Sequence, residues 1–180
     1  MKCNLPGKRN KKYILLTKKL MNKLVFVFAL FLSVNVLWAQ KVEIYNPNAD
    51  AQKEVADAVR KASVEGKHVF LQIGGNWCPW CVKFHRFVDN DPEIKAFVED
   101  NFEVVKVNYD PKNKNEKLLA GLGFPQRFGF PVFVILDEKG NRIHTQNSAY
   151  LEKGESYDPV RVLRFFKNWS PAALNPANYK

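Results

Sequence analysis

The chain has 180 residues, with 28 Lys and Arg against 18 Asp and Glu, a formal charge of +10 and 46% hydrophobic residues. This composition excludes a disordered or collagen-like chain, and three cysteines are too few for a disulfide-stapled mini-protein. The charge does not mark a nucleic-acid binder, because eight basic and no acidic residues fall in the first 40 positions, leaving residues 41–180 at a net +2.

Lys2, Lys8, Arg9, Lys11, Lys12, Lys18, Lys19 and Lys23 precede an apolar run, Leu24 to Ala39, that ends on a small residue before Gln40. A basic stretch, an apolar run and a small residue are the parts of a secretory signal peptide. A membrane span needs roughly 20 apolar residues, and this run is shorter and broken by Ser33 and Asn35. Met21-Asn22-Lys23 forms a compact charged start, so Met21 is the expected first residue of the translated protein. Residues 1–40 are therefore read as leader and signal peptide, and residues 41–180 as one domain. No cysteine stands directly after the run to carry a lipid anchor, and the membrane matters only during export. Periplasmic or secreted, the mature protein meets an oxidising compartment that permits thiol chemistry.

Residues 41–50 read as an irregular lead-in. From Ala51 to Val64, Val55, Ala58, Val59 and Ala62 recur at helical spacing, with Gly66 as a stop signal. His68 to Ile73 is a short, β-prone run ended by Gly74-Gly75, and reads as a buried strand. A helix follows to about Val88, and a second covers Pro92 to Phe102, with proline near its start where it is tolerated. Val104 to Tyr109 is a second strand, Glu116 to Leu122 a short helix, and Pro131 to Leu136 a third strand. Asp137 to Asn141 makes a turn, and Arg142 to Gln146 pairs back as a hairpin. Residues 147–157 carry no periodic signal. Pro159 to Trp169 closes the chain as an amphipathic helix with Val162, Phe165, Phe166 and Trp169 inward. The order α-β-α-β-α-β-β-α predicts an α/β fold with a central mixed β-sheet flanked by helices on both faces.

Two cysteines follow the leader, as Trp77-Cys78-Pro79-Trp80-Cys81 at a strand-to-helix junction. A c-type haem needs His after the second Cys, where this chain has Val82. A structural zinc site needs four ligands, and beyond this pair only His68, His85 and His144 remain among histidines. A redox dithiol is the specific reading of this spacing beside a βαβ pattern. An inert staple is the alternative, and so short a loop gains little from being closed. Pro79 suits the first helical turn, which makes Cys78 the N-cap, where unpaired N–H groups and the helix dipole favour a thiolate. Cys78 is thus the expected nucleophile and Cys81 the resolving thiol.

The strand leading into Trp77-Cys78-Pro79-Trp80-Cys81, Gly129-Phe130-Pro131 before the third strand, and Asp137-Glu138-Lys139-Gly140 at the following hairpin together resemble the thioredoxin superfamily. The likeness is greatest to exported thiol:disulfide interchange proteins, and it spans roughly Val55 to Trp169. It implies a thioredoxin-like fold and a thiol:disulfide oxidoreductase that reduces or exchanges protein disulfides. It implies no cofactor and no metal. Its partners would be disulfide-containing proteins and a membrane-linked thiol electron donor, for a monomeric enzyme. A disulfide isomerase and a non-catalytic thioredoxin-fold binding module are the alternative functions.

By the same resemblance Pro131 is a cis-proline facing the dithiol, and Phe130 offers backbone groups to an extended substrate peptide. Trp77 and Trp80 would form an apolar rim for substrate, with Trp77 the more expected of the two to pack on its own domain. Thioredoxins carry a buried acid where this chain has Gln72, while Lys106 matches the lysine that accompanies that acid. His85, four residues after Cys81 on one helix face, is a substitute proton shuttle by spacing and ordinary pKa, and Lys106 is a second. Trp80 places no charge between the cysteines, which predicts a less oxidising couple than relatives with histidine there.

Overall fold

The computed structural model describes residues 43–180 and, by itself, Met21. The leader, its apolar run and the expected cleavage point at Ala39 lie outside the described residues. Helix α1 (Ala51–Glu65) begins where Asp50 accepts the Lys53 N–H at 3.0 Å, satisfying one of the donors that a helix start leaves unpaired. It stops at Gly66, whose φ of 68° is a left-handed conformation that glycine adopts without a Cβ penalty.

Strand β1 (His68–Gly74) is buried at all seven positions. It pairs parallel with β2 (Phe102–Asn108) and antiparallel with β3 (Val132–Leu136), and β3 pairs antiparallel with β4 (Arg142–Asn147). The order β2-β1-β3-β4 leaves β1 and β3 central, which is why both read as nearly continuous apolar runs.

Alternation along β1 sends its side chains to two different cores. Val69, Leu71 and Ile73 pack with Val55 and Ala62 of α1. Phe70 turns the other way, into an aromatic core shared with α2 (Pro79–Asn90), α3 (Pro92–Asn101) and α5 (Pro159–Asn168). There its ring meets Phe166 edge-on at 5.0 Å, while Phe84 and Phe133 lie 4.3 Å apart. Each such buried side chain contributes roughly 1.5–3 kcal/mol. Helices thus cover both faces of a mixed sheet, as the element order predicts. Gln72 shares the aromatic face with Phe70, and this sets what it can reach.

Several boundaries differ from expectation. Strand β2 begins at Phe102, because Phe102 pairs in parallel register with His68. Strand β3 begins after Pro131, which has no N–H to give to the ladder. The short helix α4 is Glu116–Gly121. The unread stretch 147–157 holds a short hairpin, β5 (Glu152–Lys153) with β6 (Ser156–Tyr157), that buries Tyr157 against α2. Trp169 caps α5 and packs by stacking on His144 at 4.2 Å, while its carbonyl accepts from His68 Nδ1 at 2.8 Å.

Candidate functional site

The site forms where β1 runs out. Gly74-Gly75-Asn76-Trp77 turns the chain from the sheet into α2, and Cys78 stands at the N-cap in extended conformation (φ −94°, ψ 107°) with Pro79 following at the first helical position. Cys78 Sγ accepts the Cys81 N–H at 3.1 Å, so a first-turn donor points at the sulfur. Cys78 and Cys81 are joined by a disulfide across a Cα separation of 5.3 Å. Cys78 retains 3% exposure and Cys81 none, so Cys78 is the residue of the pair nearer solvent.

The rim is aromatic. Trp77 is 54% exposed, with its indole Nε1–H donated to the Tyr109 carbonyl at 2.7 Å and its ring edge-on to Phe130 at 5.5 Å. Phe130 also stacks on Tyr109 at 4.7 Å and packs against the cysteine cluster. The Phe130–Pro131 peptide is cis. Trp80 reverses the expected ranking. It is the half-buried member, edge-on to Tyr157 at 5.5 Å with Lys83 Nζ 4.2 Å above its ring, whereas Trp77 is the exposed one. The physical reason is that Trp80 lies in the first helical turn over the β5–β6 hairpin, while Trp77 precedes the cap.

The inner wall is polar and fully connected. Gln72 Nε2 donates to Tyr45 Oη at 2.8 Å and to the Cys81 carbonyl at 3.0 Å, and Gln72 Oε1 accepts from Lys106 Nζ at 3.1 Å. Burial pushes the Lys106 ammonium down to about 8, with Asp89 opposing the shift more weakly. His85 lies on the helix face that its spacing predicts, but its Nε2 sits 3.2 Å from Asp89 Oδ2. Burial and then the Lys106 charge lower the His85 pKa. A cavity of about 280 Å³ brings His85, Lys106, Asp89 and Gln72 to one lining.

Tyr45 and Asn76 were not singled out by sequence. Asn76 Oδ1 accepts the N–H groups of Ile44 and Tyr45 at 2.9 and 3.0 Å, and its Nδ2 donates to the Tyr45 carbonyl at 2.8 Å. This clamp lays the lead-in against the cysteine loop and buries Tyr45 beside Cys78 and Cys81. The available signal was the adjacent apolar pair Ile44-Tyr45 in the lead-in. Among the described residues, no group of three or more His, Cys, Asp or Glu is placed to hold a metal ion, and no helix is long and apolar enough to cross a membrane.

Comparison with known proteins agrees with this geometry. A thioredoxin-like family model matches residues 50–138. A disulfide bond reductase DsbH of Chlamydia pneumoniae is 28% identical, the match covering 56% of this chain and 68% of that protein. An uncharacterized protein of Haemophilus influenzae is 30% identical, with 55% of this chain and 68% of that protein covered. The crystal structure of a disulphide isomerase from Xylella fastidiosa superposes with a TM-score of 0.63 at 24% identity, covering 71% of this chain and 96% of that one.

Proposed function

Because this chain belongs to the thioredoxin-like superfamily, we propose that it is an exported thiol:disulfide oxidoreductase acting on protein disulfides. The observation that carries this reading is the Cys78–Cys81 pair at the start of α2, with the outer sulfur on the N-cap. The similarity to a disulfide bond reductase supports the reductive direction.

The reduced form runs in two displacements. The Cys78 thiolate attacks a substrate disulfide, forming a mixed disulfide and expelling one substrate thiolate. Cys81, deprotonated, then attacks Cys78 Sγ, forming the Cys78–Cys81 bond and releasing the second substrate thiolate. The two protons of the dithiol end on the two substrate sulfurs. A thiol donor, placed at the membrane by the export reading, returns the pair to the reduced state. Phe130 offers its backbone to an extended substrate chain before cis-Pro131, with Trp77 and the exposed edge of Trp80 alongside. His85 and Lys106, sharing one cavity, carry protons between the inner wall and solvent.

Reduction of insulin by the dithiothreitol-coupled full chain tests this function. The wild type accelerates precipitation of the insulin B chain, Cys78→Ser abolishes the acceleration, and Cys81→Ser accumulates a mixed disulfide. Wild-type and Cys78→Ser rates that coincide refute the reading and leave a binding module.

A further inference from the structure

The polar wall behind the cysteines contains one hydrogen whose destination follows from the other bonds. Lys106 carries only donors, so the Gln72 atom facing it at 3.1 Å must be the amide oxygen. The amide nitrogen then faces inward and commits its two hydrogens to Tyr45 Oη and the Cys81 carbonyl. Tyr45 Oη is therefore an acceptor from Gln72, and its own hydrogen points elsewhere. Among the described residues, Gln72 is the one hydrogen-bond partner of that hydroxyl.

Cys81 is its neighbour in the small cluster that also holds Cys78. A Cβ added at Gly74 would approach both Cys81 Sγ and Tyr45 Oη to under 3.0 Å, so the two atoms flank one small volume beside the β1 backbone. Tyr45 is 2% exposed and Cys81 has no exposure, so bulk solvent does not reach the pair. The Asn76 clamp fixes the backbone that presents the ring.

We propose that Tyr45 is the hydrogen-bond donor to Cys81 Sγ once the disulfide opens, selectively stabilising the resolving thiolate. The role rests on the reading of the dithiol as redox-active. In the disulfide, Cys81 sulfur is neutral and bonded to Cys78; reduction gives it a proton to lose and a charge to stabilise. Burial raises the Tyr45 pKa, so the hydroxyl keeps its proton and serves as donor rather than base. The proton lost by Cys81 still ends on the departing substrate sulfur. This arrangement supplies with a neutral donor some of what a buried acid at position 72 would supply with a base.

The other titratable groups around Cys81 are Cys78 and His85 on its own helix, Lys106 reached through Gln72 from β2, and Tyr157 from β6. The Tyr157 hydroxyl donates to the Trp80 carbonyl, and His85 is held by Asp89, leaving Tyr45 as the donor on the inner side.

The test is iodoacetamide alkylation of Cys81 from neutral to alkaline pH in the reduced, full-length Cys78→Ser protein, read by peptide mapping. Adding Tyr45→Phe slows alkylation about tenfold on the acid side of the midpoint and moves the midpoint up about one unit, as for loss of one hydrogen bond to a charged group. Coincident profiles overturn the proposal. Because Tyr45→Phe also strips Gln72 of an acceptor, 3-fluorotyrosine at position 45 gives a second measurement with the shape kept and the donor strengthened. The midpoint then moves down; an unmoved or raised midpoint overturns the proposal. Insulin reduction distinguishes the two failures. Active wild type with no midpoint shift removes the Tyr45 role alone, and an intact shift without insulin turnover removes the protein-substrate reading alone.

Discussion

Lys106 Nζ faces Gln72 Oε1 at 3.1 Å, a half-buried ammonium against a neutral amide. No formal charge on Gln72 offsets the burial, so the lysine sits near 8 in the folded protein against 10.5 unperturbed. Between these values the unfolded chain holds the proton more often than the folded one, so stability rises with pH. Urea titrations between pH 8 and about 10 are expected to gain about 2 kcal/mol, and Lys106→Met to lose that slope. Higher pH reverses the trend, because Tyr45 and Tyr157, both raised by burial, ionise more readily when unfolded.

Gly74 has no room for a side chain. A Cβ there collides with Cys81 Sγ and crowds Tyr45 Oη at 2.9 Å, both held within the core. Gly74→Ala is expected to cost about 1–3 kcal/mol by overpacking. Gly66→Ala is the contrasting control: its Cβ meets nothing within 4 Å, and its cost, about 1 kcal/mol, comes from the positive φ alone. Chemical denaturation of the two variants separates clash from backbone strain, and reduction of the disulfide lowers only the Gly74→Ala cost.

Trp77 is held by one hydrogen bond and one edge-on ring while over half its surface faces solvent. Trp77→Ala is expected to raise KM for insulin severalfold with kcat nearly unchanged, and to cost about 1–2 kcal/mol of stability. Trp80→Ala should destabilise more and shift KM less, since its ring supports Tyr157. Steady-state kinetics beside thermal melts gives both readouts, and an equal KM change in the two variants defeats the distinction.

The charge near the outer sulfur also sets the couple. Position 80 carries an indole, and Lys83 directs its ammonium over that ring, 4.2 Å from its centre. With no imidazolium between the cysteines to favour the thiolate, the midpoint against glutathione is expected well below about −140 mV, the neighbourhood of strong oxidants. Trp80→His should move the midpoint upward. A wild-type value above that mark counts against the reductive assignment.

Legibility in the sequence followed the range of the interactions involved. The helices Ala51–Glu65 and Pro159–Asn168 announced themselves through apolar spacing, and β1 and β3 through buried runs bounded by glycine or proline. The cysteine pair was readable because its chemistry is local: four consecutive residues create the cap, the turn and the disulfide. Strands of two residues such as Glu152–Lys153 carry no alternation, and losing that hairpin also lost Tyr157, the partner that draws Trp80 inward. Tyr45 was invisible for a related reason. Its position depends on Asn76, 31 residues away, through bonds to the backbone that no side-chain period records.

The Asn76 clamp changes where the working unit begins. The family match starts at residue 50, and a boundary drawn there retains every strand of the sheet and both cysteines. It nevertheless discards the segment whose tyrosine closes the site from within. A protein trimmed at that boundary would open Cys81 to water and leave Asn76 with three unmet bonds beside the cysteine pair. The lead-in ahead of the first helix thus carries no regular structure and lies mostly at the surface, yet through Tyr45 it supplies part of the domain's interior beside the cysteines.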